Sequence, residues 1–178
     1  MIFLRHPRPQ VAPGICYGRL EVPEGPRAAA EIAAALARIR RVRAVRASPA
    51  ARCQRLAERI ATRDGCPLAL DPRLAELDFG AWEGRPWEDI DRAESDPWSA
   101  DPWRVAPPGG ETFASLHARV AAALEDFGEG TAVVTHAGVI RAARMLRAGA
   151  GFARVFAEPV PYATPLPIPA EEDPPWPM

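Results

Sequence analysis

Ile2-Phe3-Leu4-Arg5-His6-Pro7-Arg8 runs three apolar residues straight into an arginine and a histidine, and a proline stops it. A short apolar run closed by a breaker is the pattern of a buried strand. Proline disfavours helical geometry in the residue before it, so His6 is held extended at the strand's C-terminal end. In α/β sheets, ligands bind at that end. A single histidine there reads two ways: as a satisfied structural imidazole, or as a working group. The rest of the chain decides between them.

Thr131-Ala132-Val133-Val134-Thr135 repeats the arrangement. His136-Ala137-Gly138 follows, and then a helix from about Val139 to Ala148, whose N-terminus offers free N–H groups to an anion. Between these two strands the pattern alternates. Ala29, Ile32, Leu36 and Ile39 predict an amphipathic helix over about 25–40. Arg41 to Ala47 predicts a strand, with Val42, Ala44 and, in an imperfect alternation, Val45 turned inward. Ser48-Pro49 reads as a helix start, serine at the N-cap and proline at the first turn, and that helix runs to about Arg63. Arg52 falls in its first turn, where the helix dipole disfavours a cation. Local inconsistencies of that kind mark candidates for function, although spacing alone gives an arginine that reaches solvent.

Pro67 to Leu70 predicts a short strand, residues 73–84 an acidic, aromatic loop, and 97–110 an irregular stretch. Phe113, Leu116, Val120, Leu124 and Phe127 mark a further helix, with His117 off its apolar stripe and assigned to packing. Val155-Phe156-Ala157 is expected as an edge strand. The proline-rich tail starts at about 159, with little regular structure beyond Pro165. Strands alternating with helices predict an α/β fold: a three-layer sandwich with a mostly parallel central sheet flanked by helices, residues 1–178 forming one domain.

Net charge is −1, which argues against non-specific nucleic-acid binding. No apolar run is long enough to span a bilayer. Arg5, His6 and Pro7 interrupt the N-terminus before a signal-peptide core forms, so a cytoplasmic protein is expected. Cys16, Cys53 and Cys66 lack metal-ligand spacing and fit free thiols. All 22 basic residues are arginine. The absence of lysine excludes a Walker-A loop, a pyridoxal Schiff base and a lysine nucleophile, so any phosphate site must use arginine, histidine or backbone N–H groups. No cofactor or metal is called for, and a homodimer is left open.

If the strand ending at Ala47 neighbours the first, His6, His136, Arg5 and Arg52 share one rim. Two guanidiniums and two imidazoles suit a phosphoryl group, whose oxygens match the arginine fork.

The motifs then become specific. Leu4-Arg5-His6, Ser48-Pro49-x-x-Arg52-Cys53, Leu74-x-Glu76-x-x-x-Gly80-x-Trp82-Glu83-Gly84, Gly109-Gly110-Glu111 and Thr135-His136-Ala137-Gly138-Val139-Ile140-Arg141 occur in that order. In this the chain resembles the histidine phosphatase superfamily, the phosphoglycerate-mutase-like proteins, over about residues 2–145. Cys16-Tyr17-Gly18-Arg19 and Phe79-Gly80-x-Trp82-Glu83-Gly84 resemble its alpha-ribazole phosphatase branch. The resemblance implies His6 as nucleophile and phosphohistidine, Arg5, Arg52 and His136 as phosphoryl-oxygen ligands, and Glu76 as proton donor and then base. It implies hydrolysis of a small phosphorylated metabolite without metal. Arg8, Tyr17 and Arg19 are candidate substrate contacts.

Pro7-Arg8-Pro9 departs from the family, which has a small residue after the nucleophile and then Glu or Gln before Thr. Two alternatives follow. One is a phosphoglycerate mutase, disfavoured by the short stretch between Gly84 and Gly109. The other is an inactive phosphate-binding regulator, disfavoured by the intact Glu76.

Overall fold

The structure is a computed structural model and describes residues 1–169. The proline-rich tail is therefore seen only in its first part; residues 170–178 lie outside the described residues.

Five strands form one sheet in the order β3-β2-β4-β1-β5. They are β1 (Ile2–Arg5), β2 (Ala44–Ala47), β3 (Leu68–Leu70), β4 (Thr131–Thr135) and β5 (Pro165–Pro167). The first four run parallel, and β5 lies antiparallel on β1. The helices are α1 (Ala28–Arg38), α2 (Ala51–Asp64), α3 (Arg92–Ala100), α4 (Phe113–Glu125), α5 (Ala137–Ala148) and α6 (Phe152–Ala157).

Alternation along the central strands builds two cores. Phe3 and Val133 pack with Leu116, Val120, Val139 and Ile140 of α4 and α5. Leu4, Ala132 and Val134 turn the other way, onto Ile32, Leu56 and Ile60 of α1 and α2. Successive strand side chains face opposite sides, so two short strands covered on both faces read as continuous apolar runs. The three-layer α/β sandwich expected from the sequence is the fold.

Four local expectations are corrected. Val155–Ala157 is not a strand: Phe152, Val155 and Phe156 stand at helical spacing in α6, and Phe152 and Phe156 pack edge-on against Phe113 of α4. The edge strand is Pro165–Pro167 instead. Proline is tolerated there because an edge strand has one side free of ladder bonds. Strand β2 begins at Ala44, later than Arg41, and Val45 and Ala47 are its buried residues, with Val42 and Ala44 only partly covered. The stretch expected to be irregular from 97 opens inside α3, which holds Pro97. Among the described residues no helix is long and apolar enough to cross a membrane.

Candidate active site

The register of the sheet sets the site. Arg5 pairs with Thr135 across β1 and β4, so His6 and His136 are each the next residue on adjacent parallel strands. The His6 amide donates to the Thr135 carbonyl at 2.9 Å. The two rings stand 5.2 Å apart between centroids, and both are buried. On the other side of β4, Ala47 pairs with Val134, which puts Ser48 beside the same rim and α2 directly behind it.

His6 presents one nitrogen to its own backbone. Nδ1 lies 2.7 Å from the Pro7 carbonyl oxygen. A carbonyl only accepts, so the proton sits on Nδ1 and the Nε2 lone pair is left free. Burial, with Arg52 and Arg5 nearby, lowers the pKa of His6 from 6.5 to about 3. Its ring is neutral at physiological pH. Pro7 lacks an N–H but keeps its carbonyl, and the carbonyl is what His6 uses.

Arg52 does not reach solvent; it is 1% exposed. Its Nη1 donates to the Leu20 carbonyl at 2.8 Å and its Nη2 to Gly18 at 2.5 Å. Those carbonyls belong to a loop that a single carboxylate pins. Glu83 accepts from the amides of Gly18 and Leu20 on one oxygen and from those of Arg19 and Phe79 on the other. Side chains at residue 18 are excluded by the close approach: a Cβ there would stand 1.9 Å from the Leu77 carbonyl oxygen.

Arg5 donates to the Val160 carbonyl at 3.0 Å and to the Tyr162 hydroxyl at 2.9 Å, and its guanidinium carbon lies 3.7 Å from the Tyr162 ring centre. The Tyr162 hydroxyl also pairs with that of Tyr17 at 2.9 Å. The Nε groups of Arg5 and Arg52 are buried and find no hydrogen-bond partner among the described residues. Buried donors are rarely left unpaired in native proteins, and both residues line the same cavity.

Glu76 sits at the start of α5. The Gly138 amide donates to both carboxylate oxygens at 3.1 Å, and the Leu77 amide donates to Oε1 at 3.0 Å. The fit depends on glycine, because a Cβ at 138 would lie 2.3 Å from Glu76 Oε1. His136 occupies the N-cap of the same helix. Burial, with His6, Arg52 and Arg5 around it, holds its imidazole well below the usual histidine range.

The cavity has a volume of about 310 Å³. Arg5, His6, Arg52, Glu76 and His136 all line it, so all five residues singled out by sequence meet there. Tyr17 lines it too, with Phe79 and Trp87 making the rest of an aromatic wall. Arg8 is exposed and lies over the Tyr162 ring at 4.6 Å. Arg19 is not in the cavity lining. Its guanidinium is held by Asp78 at 3.2 Å and Glu111 at 3.3 Å, behind the loop that carries Glu76. His117 packs on Trp103, as expected of a residue off the chemistry.

Three residues of the site are not among the site residues expected from sequence. Ser48 was expected to cap α2, but that helix begins at Ala51 with no side-chain cap; the Ser48 hydroxyl lies 2.8 Å from His136 Nε2 instead. Arg141 lines the cavity from α5. Tyr162 comes from the proline-rich segment, where only a lone aromatic between prolines marks it. Among the described residues, no group of three His, Cys, Asp or Glu side chains is placed to hold a metal ion.

Comparison with known proteins agrees with the geometry. The model of the histidine phosphatase superfamily (branch 1) matches residues 1–165. The chain is 35% identical over 89 residues to the "Bifunctional protein Rv2228c" of Mycobacterium tuberculosis, covering 48% of this chain and 24% of that protein. It is 38% identical over 81 residues to a probable phosphoglycerate mutase GpmB of an Enterobacter species, covering 42% and 36%. The chain thus spans about a quarter to a third of the curated relatives it matches. The crystal structure of the alpha-ribazole phosphatase from Shigella flexneri superposes with a TM-score of 0.78 at 23% identity, over 91% of this chain and 86% of that one, a likeness of fold.

Proposed function

The chain belongs to the histidine phosphatase superfamily, and on that premise we propose that it is a metal-independent phosphomonoesterase working through a phosphohistidine. One observation carries the reading: the free Nε2 of a neutral His6 shares a cavity with two arginines whose buried Nε–H groups lack partners among the described residues.

In the proposed cycle His6 Nε2 attacks phosphorus in line with the leaving oxygen. The P–N bond forms as the P–O bond breaks. Arg5, Arg52 and His136 hold the phosphoryl oxygens, whose charge is what the site must stabilise. Protonated Glu76 gives its proton to the leaving oxygen and becomes the carboxylate. It then takes a proton from water, which attacks the phosphohistidine and releases inorganic phosphate. His6 returns neutral.

The substrate we assign is a small phosphate ester, with alpha-ribazole 5′-phosphate as the leading candidate. Support comes from the fold shared with a phosphatase named for that substrate and from Tyr17, Phe79 and Trp87, aromatic faces on which a flat heterocycle can stack. The phosphoglycerate mutase reading has its own support, the 38% identity to the GpmB segment.

Release of phosphate from a panel of phosphorylated metabolites, with EDTA present, tests the proposal. Turnover of alpha-ribazole 5′-phosphate above that of phosphoglycerates is expected. Interconversion of 3- and 2-phosphoglycerate faster than phosphate release, after priming with 2,3-bisphosphoglycerate, would establish the mutase. Dependence on an added divalent metal would remove the mechanism.

A further inference from the structure

The Ser48 hydroxyl is fully buried and lies where α2 has no use for it. It accepts from the Ala50 amide at 3.3 Å and faces His136 Nε2 at 2.8 Å. The Cys53 sulfur lies 3.6 Å from the same nitrogen and 3.7 Å from the Thr135 carbonyl oxygen, the better acceptor for its single proton. The other ring nitrogen, Nδ1, lies 3.4 Å from Arg52 Nη2; a guanidinium only donates, so in this geometry Nδ1 accepts and Nε2–H donates to Ser48 Oγ.

We infer that Ser48 is a positioning residue for His136: its hydroxyl holds Nε2 whichever nitrogen carries the proton, accepting from Nε2–H and turning to donate once Nδ1 takes the proton to meet a phosphoryl oxygen. The inference rests on the function proposed above. It follows from what each atom can do. An imidazole must donate to a phosphoryl oxygen, which only accepts. If the ring is neutral with its proton on Nδ1, Nε2 is a buried lone pair and needs a donor. Ser48 O–H supplies it while its own lone pair takes the Ala50 N–H. If the ring is cationic, Nε2–H donates to the same oxygen and Nδ1–H still faces the anion. A hydroxyl serves both states because it rotates; an alanine serves neither, and a thiol already pointed at Thr135 serves poorly. The hydrogen bond also fixes which edge of the ring faces the cavity, as partners of the second nitrogen do for histidines generally.

The test uses the full chain with selectively ¹⁵N-labelled histidine. Two-bond ¹H–¹⁵N correlation spectra are recorded with and without inorganic phosphate, beside kinetics on p-nitrophenyl phosphate. With phosphate bound, wild-type His136 is expected to be protonated at Nδ1. Ser48→Ala should shift that pattern toward the Nε2–H form, weaken phosphate binding roughly 10-fold and lower kcat/KM by 10- to 100-fold, with Ser48→Thr restoring most of it. Should Ser48→Ala fail to fold, the wild-type spectrum decides alone: phosphate-bound His136 with Nδ1 unprotonated overturns the inference. So does a folded Ser48→Ala with unchanged tautomer and phosphate affinity. Absence of any phosphatase turnover, with the phosphate-bound spectrum as expected, would instead count against the proposed function and leave Ser48 as an organiser of an anion site.

Discussion

The backbone amide of Gly138 stands 3.1 Å from both carboxylate oxygens of Glu76. The proton donor assigned to the reaction therefore rests on the N-terminus of the helix that follows His136, and only glycine lets it come so close. Gly138→Ala should push Glu76 away from the leaving oxygen without touching His6. Glu76→Gln and Gly138→Ala should share one signature. Alkyl phosphates, whose leaving oxygen needs a proton, slow by on the order of 100-fold, while p-nitrophenyl phosphate slows far less. The ratio of the two rates measures this, and equal slowing of both esters would contradict the donor role.

Glu83 holds Arg52 at one remove. Four amides of residues 18–20 and 79 converge on its carboxylate, and the Gly18 and Leu20 carbonyls then grip the guanidinium. Glu83→Ala strands those donors. Hydrogen bonds to charged groups contribute about 1.5–3 kcal/mol each and do not simply add. A loss of at least ~2 kcal/mol in urea unfolding is expected, with KM for p-nitrophenyl phosphate raised more than kcat is lowered. Unchanged KM would show that the loop does not position Arg52.

Stability should depend on pH through the two buried imidazoles. The unfolded chain protonates His6 near 6.5, whereas the folded chain does so only near 3, and His136 is displaced in the same direction. The unfolded state binds more protons between those values, so acid favours it. The His6 contribution is intact above pH 6.5 and drains away as pH falls toward 3, at about 1.4 kcal/mol per pH unit, and His136 acts with the same sign. Urea titrations at pH 7.5, 6 and 5 should show His6→Gln losing less stability than wild type on acidification. Parallel profiles would mean that folding does not lower the pKa of His6.

Tyr162 joins Arg5 to Tyr17 through one hydroxyl. Tyr162→Phe removes that acceptor but keeps the ring under the guanidinium. The expected cost is about 1–2 kcal/mol, roughly 5- to 30-fold in kcat/KM. A variant with wild-type kinetics would show that the Tyr162 hydroxyl does not position Arg5, leaving that to the Val160 carbonyl and the ring face.

The fold was legible because both central strands announce themselves in composition and end in the same way, in histidine. His6 and His136 were legible because strand ends are fixed by local sequence. What Ser48 does was not. Serine before proline at a helix start is the signature of a cap, and only the register of β2 against β4 shows the hydroxyl beside His136 instead. Arg52 misled for a related reason: a cation in a first turn is costly until carbonyls from a remote loop surround it. Tyr162 was hidden because its partner Arg5 lies 157 positions away in the chain, and β5 brings it back by an antiparallel pairing that proline-rich sequence does not advertise. Helix α6 reads as a strand in three residues and as a helix once Phe152 is counted.

The most direct measurement is rapid-quench trapping with ³²P-labelled substrate in the presence of EDTA, followed by mapping of the labelled residue. Acid-labile, base-stable label is expected on His6 in wild type, more label in Glu76→Gln when the ester has a good leaving group, and none in His6→Ala, which should also lack turnover. Label on another residue, or phosphate release that continues in His6→Ala, would contradict the phosphohistidine mechanism.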